Sequence, residues 1–421
     1  MQRKWLIAGV LGLALLAVCG ATLLVFWGSV GLLRDGGVRF EGFGEANVAA
    51  TATEAQRFTV SDGARLDLTT LSGDVVVTGG AGNEIVVTAT KTGWGRDDDD
   101  AQITLDDMIV TMQQSGNTVT VNVDWRSPGI VIAGFVRQGR VDFTVQVPAS
   151  AEVAAATTYG DVSASGLSGG AVLASNSGEV SASGLEGEVE MRSGYGDVTL
   201  EQAEPDTVTA RSSSGTVSLE QVDADGSVEL SSGYGNVSFE QGTADDVTAS
   251  TSSGRVTLTD LSLTGAVEAR SDYGNVSVAR VTAPGGYTLG SSSGDLSLDG
   301  AAGRVSAESG YGNVSVENAA EVTLSLLSRS GAVSFAGSLG AGPHTLRSNY
   351  GNVSLLLPPD TAADIELSTG YGSIRSAFPI TLSGDIEEEH WQGTLNGGGV
   401  SLTVRTDSGS ITLDILNSKE N

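Results

Sequence analysis

Alternation of apolar and polar residues at a period of two dominates the chain from about residue 57 onward. In Gly312-Asn313-Val314-Ser315-Val316-Glu317, Val314 and Val316 share one face while Ser315 and Glu317 share the other, as in a half-buried strand. A bend follows, then a second short alternation such as Val208-Thr209-Ala210, Val228-Glu229-Leu230 or Val305-Ser306-Ala307, then a Ser/Gly turn that opens the next unit. Two strands and two bends make one unit, and no helical period appears after residue 57.

The units repeat. Thr157-Thr-Tyr-Gly-Asp-Val, Ser193-Gly-Tyr-Gly-Asp-Val, Ser232-Gly-Tyr-Gly-Asn-Val, Ser271-Asp-Tyr-Gly-Asn-Val, Ser309-Gly-Tyr-Gly-Asn-Val and Ser348-Asn-Tyr-Gly-Asn-Val place Gly160, Gly196, Gly235, Gly274, Gly312 and Gly351 about 38 residues apart. Tyrosine-free copies at Asn176, Ser213, Ser252, Ser292 and Arg329 fall midway, so the unit is about 19 residues in two alternating flavours. Units joined by bends too short for a crossover helix stack with equivalent strands parallel, which predicts an all-β chain folded as a parallel β-solenoid, or β-helix. A β-propeller is the rival, because the 38-residue double unit is near the length of a blade. Identical residues gain most from adjacent stacking, so tyrosine above tyrosine favours one coil per double unit. Inward positions are mostly Val, Ala and Leu, with Phe239 and Phe335 the larger ones, so the interior is thin. The Tyr-Gly glycines are expected at positive φ, where a glycine carries no steric cost.

The ends depart from the repeat. Residues 57–150 carry less regular strands, broken by Trp94 to Asp100, and read as a capping region; residues 151–416 are the repeats with a C-terminal cap, and 417–421 a tail. Glu387, Glu388, Glu389, His390 and Trp391 interrupt the period before Val400 to Val404 and Ser410 to Ile415 close the chain. At the amino terminus, Leu6 to Phe26 is uncharged, preceded by Arg3 and Lys4 and flanked by Trp5 and Trp27. That predicts a single transmembrane anchor over residues 1–27 with the terminus inside, in preference to a cleaved signal or a lipoprotein box at Cys19. Residues 28–56, rich in Gly and Ala, read as a linker. Everything beyond the anchor is then extracytoplasmic, a setting consistent with the absence of cysteine after Cys19.

A formal net charge of −29 excludes nucleic acid as a partner and opposes docking on anionic lipid. Asp97, Asp98, Asp99 and Asp100 are calcium candidates by charge, but the run lacks the glycine-spaced pattern of an EF-hand and a solvated loop is the preferred reading. Otherwise no metal or cofactor is expected. Catalytic chemistry is poorly supplied: His344 and His390 are the only histidines, and no nucleophile elbow, phosphate loop or zinc spacing is present. The tyrosines Tyr159, Tyr195, Tyr234, Tyr273, Tyr311, Tyr350 and Tyr371 have two readings: exposed rings for a sugar or an apolar partner, or a turn ladder packed on glycines, the latter preferred. Asn-Val-Ser at Asn236, Asn275, Asn313 and Asn352 matches a glycosylation acceptor but also follows from a turn Asn and an outward Ser.

Phe58-Thr-Val, Leu71-Ser-Gly-Asp-Val-Val-Val-Thr-Gly, Val145-Gln-Val-Pro-Ala leading into Thr158-Tyr-Gly-Asp-Val, the two alternating units, and Asn396-Gly-Gly-Gly-Val-Ser-Leu-Thr-Val-Arg-Thr-Asp-Ser-Gly-Ser-Ile together resemble the bacterial putative-adhesin β-strand repeat family, a domain of unknown function. The resemblance covers about residues 57 to 416 and implies a β-solenoid, often behind a membrane anchor, in envelope proteins, with no catalytic residues to transfer. The expectation is a membrane-anchored, extracytoplasmic, non-enzymatic binding or scaffolding element with a protein or glycan ligand. The alternatives are an envelope-stress sensor working through a membrane partner and a polysaccharide-acting β-helix enzyme.

Overall fold

The computed structural model describes residues 48–126, 138–383 and 387–416. The expected anchor, most of the linker and the tail lie outside these residues; among the described residues no helix is long and apolar enough to cross a membrane.

The repeats form a parallel β-solenoid. Val198 pairs in register with Val217, Val217 with Val237, and Val237 with Val256, so one unit of about 19 residues makes one coil. This corrects the preference for a 38-residue coil. The short period is carried by the core: every coil needs the same inward Val and Leu, whereas the long period belongs to exposed residues that impose nothing on closure. Inward residues such as Leu200, Leu219, Leu258 and Leu298 form one continuous hydrophobic cluster. Each such side chain is worth about 1.5–3 kcal/mol when fully buried. Where a larger residue enters, space is made for it: Phe239 shares its coil with Gly242, at which a Cβ would run into the Phe239 ring.

Each coil turns at several bends, of which two recur most regularly. At the Ser-Gly corner, the Ser232 hydroxyl donates to Gly215 O of the preceding coil at 2.8 Å and accepts from Gly235 N–H of its own turn at 2.9 Å. The same bridge recurs at Ser175, Ser193, Ser212, Thr251, Ser271, Ser291, Ser309, Ser328, Ser348 and Thr406. Glycine is required here for a different reason from the one expected. Among the Tyr-Gly glycines only Gly160 has positive φ, at 146°; at Gly235 a Cβ would collide with the carbonyl of Gly215 in the coil below. A run of positive-φ positions lies at a different bend, where Gly166, Gly184, Gln202, Gln221, Gln241, Asp260, Arg280, Gly300 and Asn318 succeed one another up the stack. At that bend the chain turns back so that the next residue, for example Leu185, Val222 or Leu261, is buried.

Both ends break the simple order. The strands Arg65–Ser72 and Val75–Gly80 pair in parallel with Glu152–Tyr159 and Val162–Leu167, so residues 65–80 are the first coil of the stack and not part of the cap. Thr118–Trp125 and Gln138–Pro148 cover that coil on its outer side. The segment Val48–Thr59, expected as linker up to residue 56, is a strand antiparallel to Glu84–Gly95, with Ala50 and Ala52 packed against the core. A helix, Asp98–Asp107, replaces the expected break and corrects the reading that no helix follows residue 57. Asp97 caps it by accepting from Asp100 N–H at 2.8 Å, acidic residues fill its first turn, and Ala101, Thr104 and Leu105 are buried.

At the other end, Val400–Thr406 pairs in parallel with both His344–Ser348 and Ala363–Thr369, while Ile411–Ile415 pairs with both Val353–Leu357 and Ile374–Ser376. The last coil in sequence is therefore inserted between two earlier ones. His390–Leu395 runs antiparallel to Ala363–Thr369 and covers the outermost coil.

Candidate functional site

The Ser-Gly corner carries the tyrosines to the surface, and its backbone is held by side chains from the coil beneath. The Asn236 amide oxygen accepts from Arg255 N–H at 2.9 Å, and Asp161, Asp197, Asn275, Asp295, Asn313 and Asn352 do the same for the coils that follow them. The Asn-Val-Ser occurrences are thus accounted for by turn geometry. The tyrosine just before the glycine of these turns has no such duty and points outward: Tyr195, Tyr234, Tyr273, Tyr311 and Tyr350 are 70–74 % exposed, Tyr371 87 % and Tyr159 52 %. These rings gain little burial, which disfavours the preferred reading as a packed structural ladder.

Register shows their arrangement. Ser72 lies opposite Tyr159, and above them the same column reads Ser177, Tyr195, Ser214, Tyr234, Ser253, Tyr273, Ser293, Tyr311, Ser330 and Tyr350. The inserted coil supplies Ser408, and Tyr371 follows it. Tyrosine and serine alternate without a break, including where chain order does not. At about 4.8 Å per coil the tyrosine-bearing turns are about 10 Å apart, beyond the 4.5–7 Å of an aromatic pair. The eighth tyrosine, Tyr287, is not in the column: it is buried, its hydroxyl donating to Val281 O at 2.6 Å, and burial raises its pKa.

Beside the column a groove of about 660 Å³ runs over Gly290. Gly290 replaces the outward side chain that its neighbours in register, Arg270 and Glu308, carry. Arg270 bonds Glu268 at 2.7 Å and Arg329 bonds Glu308 at 3.1 Å, so both guanidinium groups are paired with a carboxylate. Tyr311 and Tyr350 form the wall. Nothing in the sequence singled out Gly290; the signal was the loss of an outward polar residue from an otherwise regular strand.

The remaining candidates are not drawn together. Asp97, Asp98, Asp99 and Asp100 cap and open the helix described above, and Asp100 is bonded to Arg96. Among the described residues no group of three or more His, Cys, Asp or Glu side chains converges on a point. His344 is buried in the core, accepting from Leu324 N–H at Nδ1 (3.3 Å) and donating from Nε2 to Gly340 O (3.1 Å), and burial lowers its pKa. Arg280 forms a bidentate pair with Asp260 in the coil below (2.6 and 2.8 Å), which holds the Asp260 carboxyl below its ordinary value.

These features define a β-solenoid with a regular exposed aromatic column. The chain belongs to the Toastrack DUF4097 family, whose model matches it over residues 63–243 and again over 226–414. It is similar to the solved structure of a putative adhesin from Parabacteroides distasonis ATCC 8503 (9 % identity, 86 % of this chain and 97 % of that one, TM-score 0.30). A putative adhesin from Bacteroides fragilis NCTC 9343 is similar at 10 % identity over 86 % and 97 % of the two chains, with a TM-score of 0.19. A putative lipid binding protein from Parabacteroides distasonis ATCC 8503 is similar at 12 % identity over 86 % and 96 %, with a TM-score of 0.23. No curated protein matches the sequence.

Proposed function

We propose that the protein is an adhesin-like, non-enzymatic binding element of the cell envelope, held in the membrane by residues 6–26 with its solenoid extracytoplasmic, and that the tyrosine–serine column is its contact surface. The supporting observation is the alternation of the column. Rings at 70 % exposure or more contribute almost nothing to folding, so a placement kept regular through the inserted C-terminal coil is better explained by an external partner than by packing. The large negative charge directs the choice of partner away from polyanions.

The test is adhesion. Beads carrying the full chain in detergent micelles should be retained under flow by surfaces coated with bacterial envelope fragments. Beads carrying the Tyr234→Ser, Tyr273→Ser, Tyr311→Ser triple variant should be released. Equal retention of the two would defeat the assignment of the column.

A further inference from the structure

We infer that the column binds a neutral, extended β-linked glycan laid along the stack, one sugar ring per coil with a tyrosine under every second ring; this rests on the binding reading above. The first argument is spacing. Coils advance by about 4.8 Å and tyrosines by about 10 Å. An extended chain of β-1,4-linked pyranoses advances one ring over a similar distance and turns over at each linkage, so every second ring offers the same apolar C–H face. Aromatic side chains at every second coil match that face, and the intervening hydroxyls of Ser214, Ser253, Ser293 and Ser330 meet the rings between.

Other polymers fit less well. An extended peptide strand repeats its face at about 7 Å, out of step with the column. Nucleic acid is opposed by charge. A polyproline helix repeats at about 9.3 Å and comes nearer. Its recognition, however, uses apolar channels between aromatics, whereas here the positions between tyrosines are hydroxyls.

The second argument is the groove at Gly290. It juxtaposes Arg270 and Arg329 as fork donors and Glu308 as acceptor beside the rings of Tyr311 and Tyr350. Closely set donors and acceptors under an aromatic wall suit a ligand whose hydroxyls do both. Because each guanidinium is already paired with a carboxylate, the face favours a neutral ligand over a carboxylated one.

Calorimetric titration of the full chain in detergent with cello- and chito-oligosaccharides of two to six rings tests this, with malto-oligosaccharides and a polyproline peptide as comparison arms. The expected result is affinity that rises with each added disaccharide. It should fall about tenfold in Tyr311→Ser and hold in Tyr311→Phe, with unchanged melting in both. Binding of neither β-linked series, equal binding of the α-linked series, or binding of polyproline alone would each overturn the glycan assignment. If in those cases the adhesion experiment still separates wild type from the triple variant, the contact surface stands and only its occupant is wrong.

Discussion

Tyr350 and Tyr371 stand two coils apart with Ser408 between them, although Ser408 follows both in the sequence. The C-terminal coil is a wedge. Its inward residues Leu402, Val404, Ile411 and Leu413 are fully buried, and its strands pair on both sides.

Deleting residues 400–421 should therefore expose two sheet edges and the core of their neighbours. At about 1.5–3 kcal/mol for each of those side chains, the loss rivals the 5–15 kcal/mol that holds an ordinary domain folded. Because each coil touches only its neighbours, the damage should stay local. Hydrogen exchange should show protection lost across 363–395 and retained across 180–320; uniform loss would contradict nearest-neighbour stacking.

Gly235→Val should cost clearly more than Ser238→Val, and Gly235→Ala about 1–3 kcal/mol, through collision with the Gly215 carbonyl. Ser232→Ala should cost a similar amount by leaving Gly235 N–H and Gly215 O without their shared hydroxyl. Denaturant midpoints measure all four; Gly235→Ala as stable as wild type would remove the close-approach explanation.

Gln221 has φ of 54°. Gln221→Gly should hold or raise stability by up to about 1 kcal/mol, and Gln221→Val should lower it by about 2 kcal/mol, since a β-branched residue resists that conformation. Reversal of this order in thermal melts would place the strain elsewhere.

Burial favours the neutral imidazole of His344 in the folded chain. Its contribution is complete above the ordinary value of about 6.5 and is lost as pH falls through the lower folded-state value. Leu324 and Leu402 occupy the same inward column, so His344→Leu should pack well. The melting temperature of wild type minus that of His344→Leu should become more negative below pH 6; a constant difference would mean the imidazole is not titrating.

Strand positions, the solenoid class and the Ser-Gly corner were legible in the sequence because they rest on local alternation and turn chemistry, repeated at Val198, Val217 and Val237. Coil size was not, because the most conspicuous period, from Tyr195 to Tyr234, belongs to residues that do not determine closure. The positive-φ corner escaped notice because Gln202, Asp260, Arg280 and Asn318 share a backbone conformation and no side-chain chemistry. The run Asp97 to Asp100 read as a solvated loop, although Asp97 and the Ala101, Thr104, Leu105 spacing are a helix start and face. The inserted coil was invisible because Val400–Thr406 has the same inward pattern whichever coils adjoin it. For the site, the tyrosines were readable but their alternation in space across the inserted coil was not, nor was the groove at Gly290.

That alternation bears on how such a chain changes length over evolutionary time. Duplicating a single coil within the stack would set tyrosine beside tyrosine or serine beside serine at the new junction, whereas duplicating two keeps the column in phase. The caps at both ends would be untouched by either event. Growth by pairs would preserve the 38-residue rhythm that the sequence carries, and growth by single coils would break it.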